Sequence, residues 1–341
     1  MPTTASLKAP ALRVGDAIGY FSPSVPATHF ASNRYERART FLQGKGFQLV
    51  AGCLSGKTDG YRSGTIQERA AELNTLIRNP DVRCIMSTIG GSNSNSLLPY
   101  IDYEALRKDP KIIIGYSDVT AILLGIYAKT GLISFYGPAL VASFGEFHPL
   151  VDETFHSFSE LLLEKVQGPH TYTLPEYWTD MMIPWEEQKG PKEVQPNTCK
   201  FFGEGVVQGR LIGGNLNTLW GIWGTEYMPL IEQGDILLIE DSLKPIATVE
   251  RLFSFLKLNG IFDKVGGVLL GKHELLKDEG TGRTSLDVLR EVLNGQEIPL
   301  VYDFDCAHTH PMLTMPLGTQ VEIDFDKKQV RALGQWLAPR S

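Results

Sequence analysis

The sequence predicts an α/β protein, with an N-terminal parallel-sheet domain of Rossmann or flavodoxin type and a smaller C-terminal α/β domain that ends in a hairpin. Short apolar, often β-branched runs alternate with stretches of helical periodicity through the first half of the chain, the pattern of a parallel sheet covered by helices. The alternation lapses over residues 168–204 and then restarts. These observations set the expected boundaries: an N-terminal domain over 1–167, a linking and covering segment over 168–204, and a C-terminal domain over 205–341.

In the first domain, residues 17–21 form an apolar strand that stops at the Ser22-Pro23-Ser24 turn. Residues 34–42 read as a helix and 47–50 as the next strand. Residues 66–77 set Ala70, Leu73, Leu76 and Ile77 at helical spacing and end at Asn79-Pro80, a stop signal. Residues 84–89 are a strand running into Gly90-Gly91-Ser92-Asn93. Lys111-Ile112-Ile113-Ile114 reads as a buried parallel strand and residues 119–128 as a mostly apolar helix, with Gly115-Tyr116-Ser117-Asp118 at the turn between them. Residues 132–136 supply the following strand. In sheets of this kind ligands bind beyond the carboxyl ends of the strands, so the Gly90-Gly91 and Ser117 turns are expected to face one crevice.

The segment 168–204 is punctuated by Pro175, Pro184, Gly190-Pro191 and Pro196, and carries Tyr172, Tyr177, Trp178 and Trp185. Aromatics among acidic residues suggest a segment that covers a substrate; a linker packing on the neighbouring domain is the plainer alternative. Beyond it, residues 205–214 form a strand ending in Gly213-Gly214, 215–223 a helix, and 235–239 a buried strand ending in Glu240-Asp241. A helix over 249–258, a strand over 266–271, a helix over 286–293 and a strand over 299–304 follow. Residues 320–325 and 329–333 alternate around Asp326-Lys327-Lys328 and form the terminal hairpin.

Composition narrows the function classes. Hydrophobic content of 43% and charged content of 21% over 341 residues describe a soluble globular chain with room for two cores. Thirty-two basic against 39 acidic side chains give a net charge of −7 with no basic block, which argues against nucleic acid as a partner. No run is long enough to span a membrane, and residues 1–8 lack the apolar core of a signal peptide, so the cytoplasm is the expected location. Cys53, Cys84, Cys199 and Cys306 form no Cys-x-x-Cys pair and read as free thiols; no metal or organic cofactor is expected.

A serine at a strand-to-helix turn stands at the sheet edge with backbone N–H groups aimed at it, the geometry of a nucleophile elbow. Ser117 has that placement, although Val119 stands where Gly-x-Ser-x-Gly would have its second glycine, and a simple helix cap is the commoner use of such a serine. Glu240 ends an apolar strand, where a carboxylate needs a partner; an ion pair with Lys244 or Arg251 would also satisfy it. His308 follows another strand, and spacing alone does not choose between it, His310 and His273 as the base of a Ser–His–carboxylate set.

Residues 88–102, Ile114-Gly115-Tyr116-Ser117-Asp118, Gly213-Gly214-Asn215-Leu216, Leu238-Ile239-Glu240-Asp241 and Cys306-Ala307-His308 leading to Pro316-Leu317-Gly318 together resemble the LD-carboxypeptidase family of serine peptidases, and within it the microcin C self-immunity branch. The match spans nearly the whole chain in order. The resemblance implies a triad split across two domains, with Ser117 as nucleophile, His308 as base and Glu240 orienting it. It implies an oxyanion hole from the N–H groups of Asp118 and of the Gly90-Gly91 turn, and a homodimer. For the immunity branch the implied substrate is an acidic residue joined by an amide to a modified nucleotide; for ordinary family members it is a murein tetrapeptide. By the same resemblance Trp185, and after it Trp178, would stack on the base, while Asn217, Lys244 and Glu274 would contact the aminoacyl-nucleotide. Lys244 as a plain surface charge and Glu274 paired with Lys272 are the alternatives, and a non-catalytic binding module on the same fold is the remaining rival.

Overall fold

Ile112–Gly115 is wholly buried, as its unbroken apolar run demands, and sits inside a six-stranded sheet. In this computed structural model the described residues are 6–164, 168–306 and 308–340. Residues 1–5, part of the stretch read for a leader, the domain boundary at 167 and Ala307 of the Cys306–His308 motif lie outside them.

The sheet runs Gln48–Ala51, Ala17–Phe21, Val82–Ser87, Ile112–Gly115, Ser134–Tyr136 and finally Met315–Leu317. The first five are parallel and keep the flavodoxin-type order, in which strand order reverses beside the first strand. The sixth comes from the far end of the chain and pairs antiparallel, Met315 opposite Tyr136. Helices Ser32–Gly44, Ile66–Arg78 and Thr120–Thr130 fall where the periodicity placed them, within a few residues. Leu150–Leu162 is a further helix, burying Val151, Phe158, Leu161 and Leu162, that the sequence reading passed over.

A second sheet of eight strands is built around four parallel ones, Val206–Asn215, Ile236–Glu240, Gly267–Gly271 and Leu300–Phe304. The terminal hairpin, Gln320–Asp324 with Gln329–Ala332, flanks it antiparallel. The outermost strands, His170–Thr171 and Lys200–Phe202, are drawn from the segment that the sequence left irregular. One continuous apolar core joins the two sheets, and the contact is close at Gly214. Its φ of +143° is glycine territory, and a Cβ there would stand 2.7 Å from Thr120 and 3.0 Å from the Tyr136 ring. Across the same contact Asn215 N–H donates to Thr120 Oγ1 at 3.0 Å. Among the described residues no helix is long and apolar enough to cross a membrane. All four cysteines are free thiols.

Candidate active site

The carboxyl ends of strands from both sheets open onto a cavity of about 690 Å³, in the range of small-ligand sites. Ser117, Asp118, Gly90, Gly91 and His308 line it. So do Trp185, Asn217, Lys244 and Glu274.

Ser117 does not cap a helix. It opens a short 3₁₀ turn, Ser117–Val119, ahead of helix Thr120–Thr130, and neither element has a side-chain cap. Its φ of +62° is uncommon for a residue with a Cβ, and this strain points the hydroxyl into the cavity instead of back along the chain. Two bonds hold the turn: Thr120 Oγ1 donates to Ser117 O at 2.6 Å, and Ser117 N–H donates to Tyr136 Oη at 3.1 Å.

The Gly90-Gly91 turn presses against this serine. A Cβ on Gly90 would lie 3.0 Å from Asp118 N and 3.1 Å from Ser117 Oγ, so only glycine lets the two turns meet. The Asp118 carboxylate welds them, accepting the N–H of Asn93 at 3.0 Å and of Ser94 at 2.9 Å. Burial still pushes the Asp118 carboxyl above its usual range, against those bonds.

Glu240 lies fully buried behind the cavity wall. Its Oε1 accepts Tyr136 Oη–H at 2.5 Å and Asn215 Nδ2–H at 3.0 Å, and its Oε2 is 2.6 Å from His308 Nδ1. The expected alternatives go elsewhere: Lys244 Nζ is 4.0 Å from Asp241, and the Arg251 guanidinium lies over the Trp220 ring. Burial opposes both charges of the pair, but their attraction prevails, so Glu240 is held below the usual carboxylate range. His308 is raised in turn by Glu240, with help from Glu274 and Asp241. Tyr136 thus touches both the Ser117 backbone and Glu240; a tyrosine ending a three-residue strand gave no sequence signal for that role.

With Nδ1 committed to Glu240, Nε2 is the His308 nitrogen left to face a substrate or Ser117. The Tyr116 ring packs edge-on against the imidazole with centroids 4.9 Å apart. Among the described residues no hydrogen bond joins Ser117 Oγ to His308, as is common before substrate tightens such sites. A hydroxyl, an imidazole fixed by a buried carboxylate, and a glycine turn beside them are the groups that acyl transfer uses.

The other histidines sort by geometry. Burial lowers His273 to about 4, and it does not line the cavity. His310 does line it, but its Nε2 lies 4.0 Å from Glu146, not Glu240, and burial followed by Lys192 brings it to about 3. Trp178, the second candidate for stacking on a base, is placed differently from Trp185. It sits outside the cavity, paired in a small hairpin with Gln195–Pro196, its Nε1–H on Pro196 O and Lys272 over its ring. Lys272 is bound to Asp305 and so does not pair with Glu274, whose carboxyl burial raises. Asn217 N–H donates to Asp241 Oδ2 at 3.2 Å; Asp241 is raised to about 6 by burial and by neighbouring Glu240.

Comparison with known proteins agrees with this architecture. The LD-carboxypeptidase N-terminal domain family matches residues 18–137, and its C-terminal domain counterpart matches 208–323. A putative carboxypeptidase of Vibrio cholerae is 62% identical over 331 residues, covering 97% of this chain and 99% of the relative. The microcin C7 self-immunity protein MccF of Escherichia coli is 61% identical over 334 residues, covering 97% of each. The wild-type apo structure of MccF superposes with a TM-score of 0.96 at 62% identity, over 97% of this chain and all of that one. MccF has also been solved with aspartyl sulfamoyl adenosine and with glutamyl sulfamoyl guanosine. Further MccF structures include a tryptophan-to-phenylalanine mutant bound to adenosine monophosphate, and an apo active-site mutant with a serine, an asparagine and a lysine replaced by alanine. Matched in order by both halves of the family and so nearly end to end by its relatives, the chain belongs to the LD-carboxypeptidase family.

Proposed function

We propose that the protein is a serine hydrolase that cleaves the amide between an acidic aminoacyl group and a nucleotide, and so detoxifies aminoacyl-adenylate-like compounds. The observation that carries this is the Glu240–His308 pair at 2.6 Å, facing the strained Ser117 turn across a cavity that Trp185 also lines. Ser117 Oγ attacks the amide carbonyl while His308 Nε2 takes its proton. The N–H groups of Asp118 and of the Gly90-Gly91 turn receive the developing oxyanion. His308 then protonates the leaving amine, and water, activated by the same imidazole, releases the acid from Ser117. Glu240 keeps His308 oriented and stabilises its charged form.

Trp185 stacks on the base, and Asn217, Lys244 and Glu274 contact the aminoacyl-nucleotide. MccF's ligands support this substrate class, and the serine, asparagine and lysine of its active-site mutant parallel Ser117, Asn217 and Lys244 in order. The division at 1–167, 168–204 and 205–341, a homodimer and a cytoplasmic location complete the proposal; light scattering of purified protein checks the dimer. The test of function is side-by-side hydrolysis of aspartyl sulfamoyl adenosine and an LD-linked murein tetrapeptide, with Ser117→Ala as control. Cleavage of the tetrapeptide alone would move the substrate to murein. Absence of both activities, with no labelling of Ser117 by an active-site serine probe, would leave only a binding module.

A further inference from the structure

Trp185 belongs to the covering segment, yet the N-terminal domain holds it. The Arg34 guanidinium lies over its ring, 4.8 Å from the centroid, and the Phe30 ring stacks with it at 6.0 Å. Arg34 is wholly buried, and its donors are committed in several directions. Nε donates to Val141 O at 3.0 Å, and Nη2 to Ala142 O at 2.8 Å and Glu146 Oε2 at 3.0 Å. Nη1 crosses to the covering segment and donates to Gln188 Oε1 at 2.6 Å.

The covering segment reaches back. Gln188 Nε2 donates to Glu146 Oε1, and Lys192 Nζ lies 3.3 Å from Glu146 Oε2. Glu146 is therefore shared by the arginine against the tryptophan and by two residues just beyond it in sequence. Glu186, beside Trp185, adds a bond from Asn33 N–H at 2.9 Å in the first turn of helix Ser32–Gly44. A buried cluster of this kind is a poor source of net stability, because desolvation offsets attraction. Its strength is geometric: each charge is tolerated only while its partners stay in place.

We propose that Arg34, Glu146, Gln188 and Lys192 form a buried latch that fixes Trp185 as a preformed platform for a nucleobase, which makes them positioning residues for nucleotide binding. The proposal rests on the aminoacyl-nucleotide reading above. A platform fixed beforehand spares the ligand the cost of ordering a loop on arrival. The latch touches neither Ser117 nor the Glu240–His308 pair, so it acts on binding of the base and leaves the chemical step alone.

The test uses Gln188→Leu and Lys192→Met, two changes on the covering segment that spare the buried Arg34 and Glu146. Adenosine monophosphate affinity is measured by calorimetry. Hydrolysis is followed on aspartyl sulfamoyl adenosine and on its abasic counterpart, the aspartyl sulfamoyl ribose. Each variant is expected to weaken nucleotide binding by about 10-fold and to raise KM for the adenosine substrate in parallel, since a hydrogen bond to a charged group is lost in each. For Gln188→Leu, whose side chain does not line the cavity, the kcat and the kinetics on the abasic substrate stay as in the wild type; Lys192 lines the cavity and its charge reaches Glu274, so Lys192→Met is read on adenosine monophosphate affinity alone. Unchanged nucleotide affinity in both variants overturns the latch, as does an equal loss on the abasic substrate in Gln188→Leu. A wild-type protein that binds no adenosine monophosphate overturns the nucleotide reading itself and the latch with it.

Discussion

Two histidine–glutamate pairs border the cavity, and their histidines are next-but-one neighbours in sequence. His308 approaches Glu240 at 2.6 Å and is raised; His310 approaches Glu146 at 4.0 Å and is lowered to about 3. Both imidazoles are largely buried, so burial does not separate them. The other partners of each carboxylate do. Glu240 receives neutral donors, Tyr136 and Asn215, and keeps its charge for His308. Glu146 already serves Arg34 and Lys192, whose positive charges repel a protonated His310. Although burial opposes its charge, His310, Arg34 and Lys192 together hold Glu146 at about 2. Here the carboxylate beside a histidine raises that imidazole on balance only where no permanent cation has claimed the carboxylate first.

The largest way to sharpen this contrast is Ser117→Ala, expected to lower kcat by about 10⁶ in the aspartyl sulfamoyl adenosine assay while KM stays near wild type. A variant retaining substantial turnover would remove the nucleophile from the scheme. Next comes Glu240→Gln, expected to cost about 10⁴ in kcat through loss of the correct tautomer and of charge stabilisation. It also carries a pH signature. His308 works as a base only when neutral, so wild-type kcat/KM rises with pH through a value raised above the ordinary imidazole range. Removing the Glu240 charge leaves burial opposed only by the more distant Glu274 and Asp241, and the acid limb should shift to lower pH.

Tyr136→Phe should do the reverse at smaller cost. Glu240 loses a donor, its charge is less well dispersed, and the His308 imidazolium gains stability. The acid limb should move to higher pH, with kcat/KM down about 10-fold at neutral pH. An acid limb that stays in place would show that Tyr136 serves only the Ser117 backbone. His310→Asn is the mildest change. Its effect should be confined to KM, below about 10-fold, with the acid limb unmoved, because His310 is already neutral throughout the working range. A shifted limb would break the contrast between the two pairs.

What could be read from the sequence follows how local each signal was. Ser117 and Glu240 each lie at or just past the end of an apolar strand, so single runs of residues brought them forward, whereas spacing left His308 level with His310 and His273 and only the family resemblance preferred it. Their partners were less visible. Tyr136 and Asn215 reach Glu240 from other strands, and Asn215 figured only as part of a motif. Arg34 and Glu146 are far apart in sequence from each other and from Gln188, so no window of the chain contains the latch. Trp178 and Trp185 looked alike as aromatics in an irregular stretch; local pairing with Gln195–Pro196 turned one away, and contact with Arg34 brought the other to the cavity. The strand Met315–Leu317 was missed because proline and a short run give little strand signal.

That short strand has a consequence for how the molecule is made. The Ser117 turn and its sheet leave the ribosome early, but the sheet edge at Ser134–Tyr136 stays open until Met315–Leu317 arrives. The same late stretch of chain delivers His308, and Tyr136, which touches both Ser117 and Glu240, lies on the edge being closed. A chain clipped before that stretch therefore holds Ser117 and its turn without His308. Severed near residue 170, the front half should be both inactive and prone to edge-to-edge association, because Met315–Leu317 is then missing from the sheet edge.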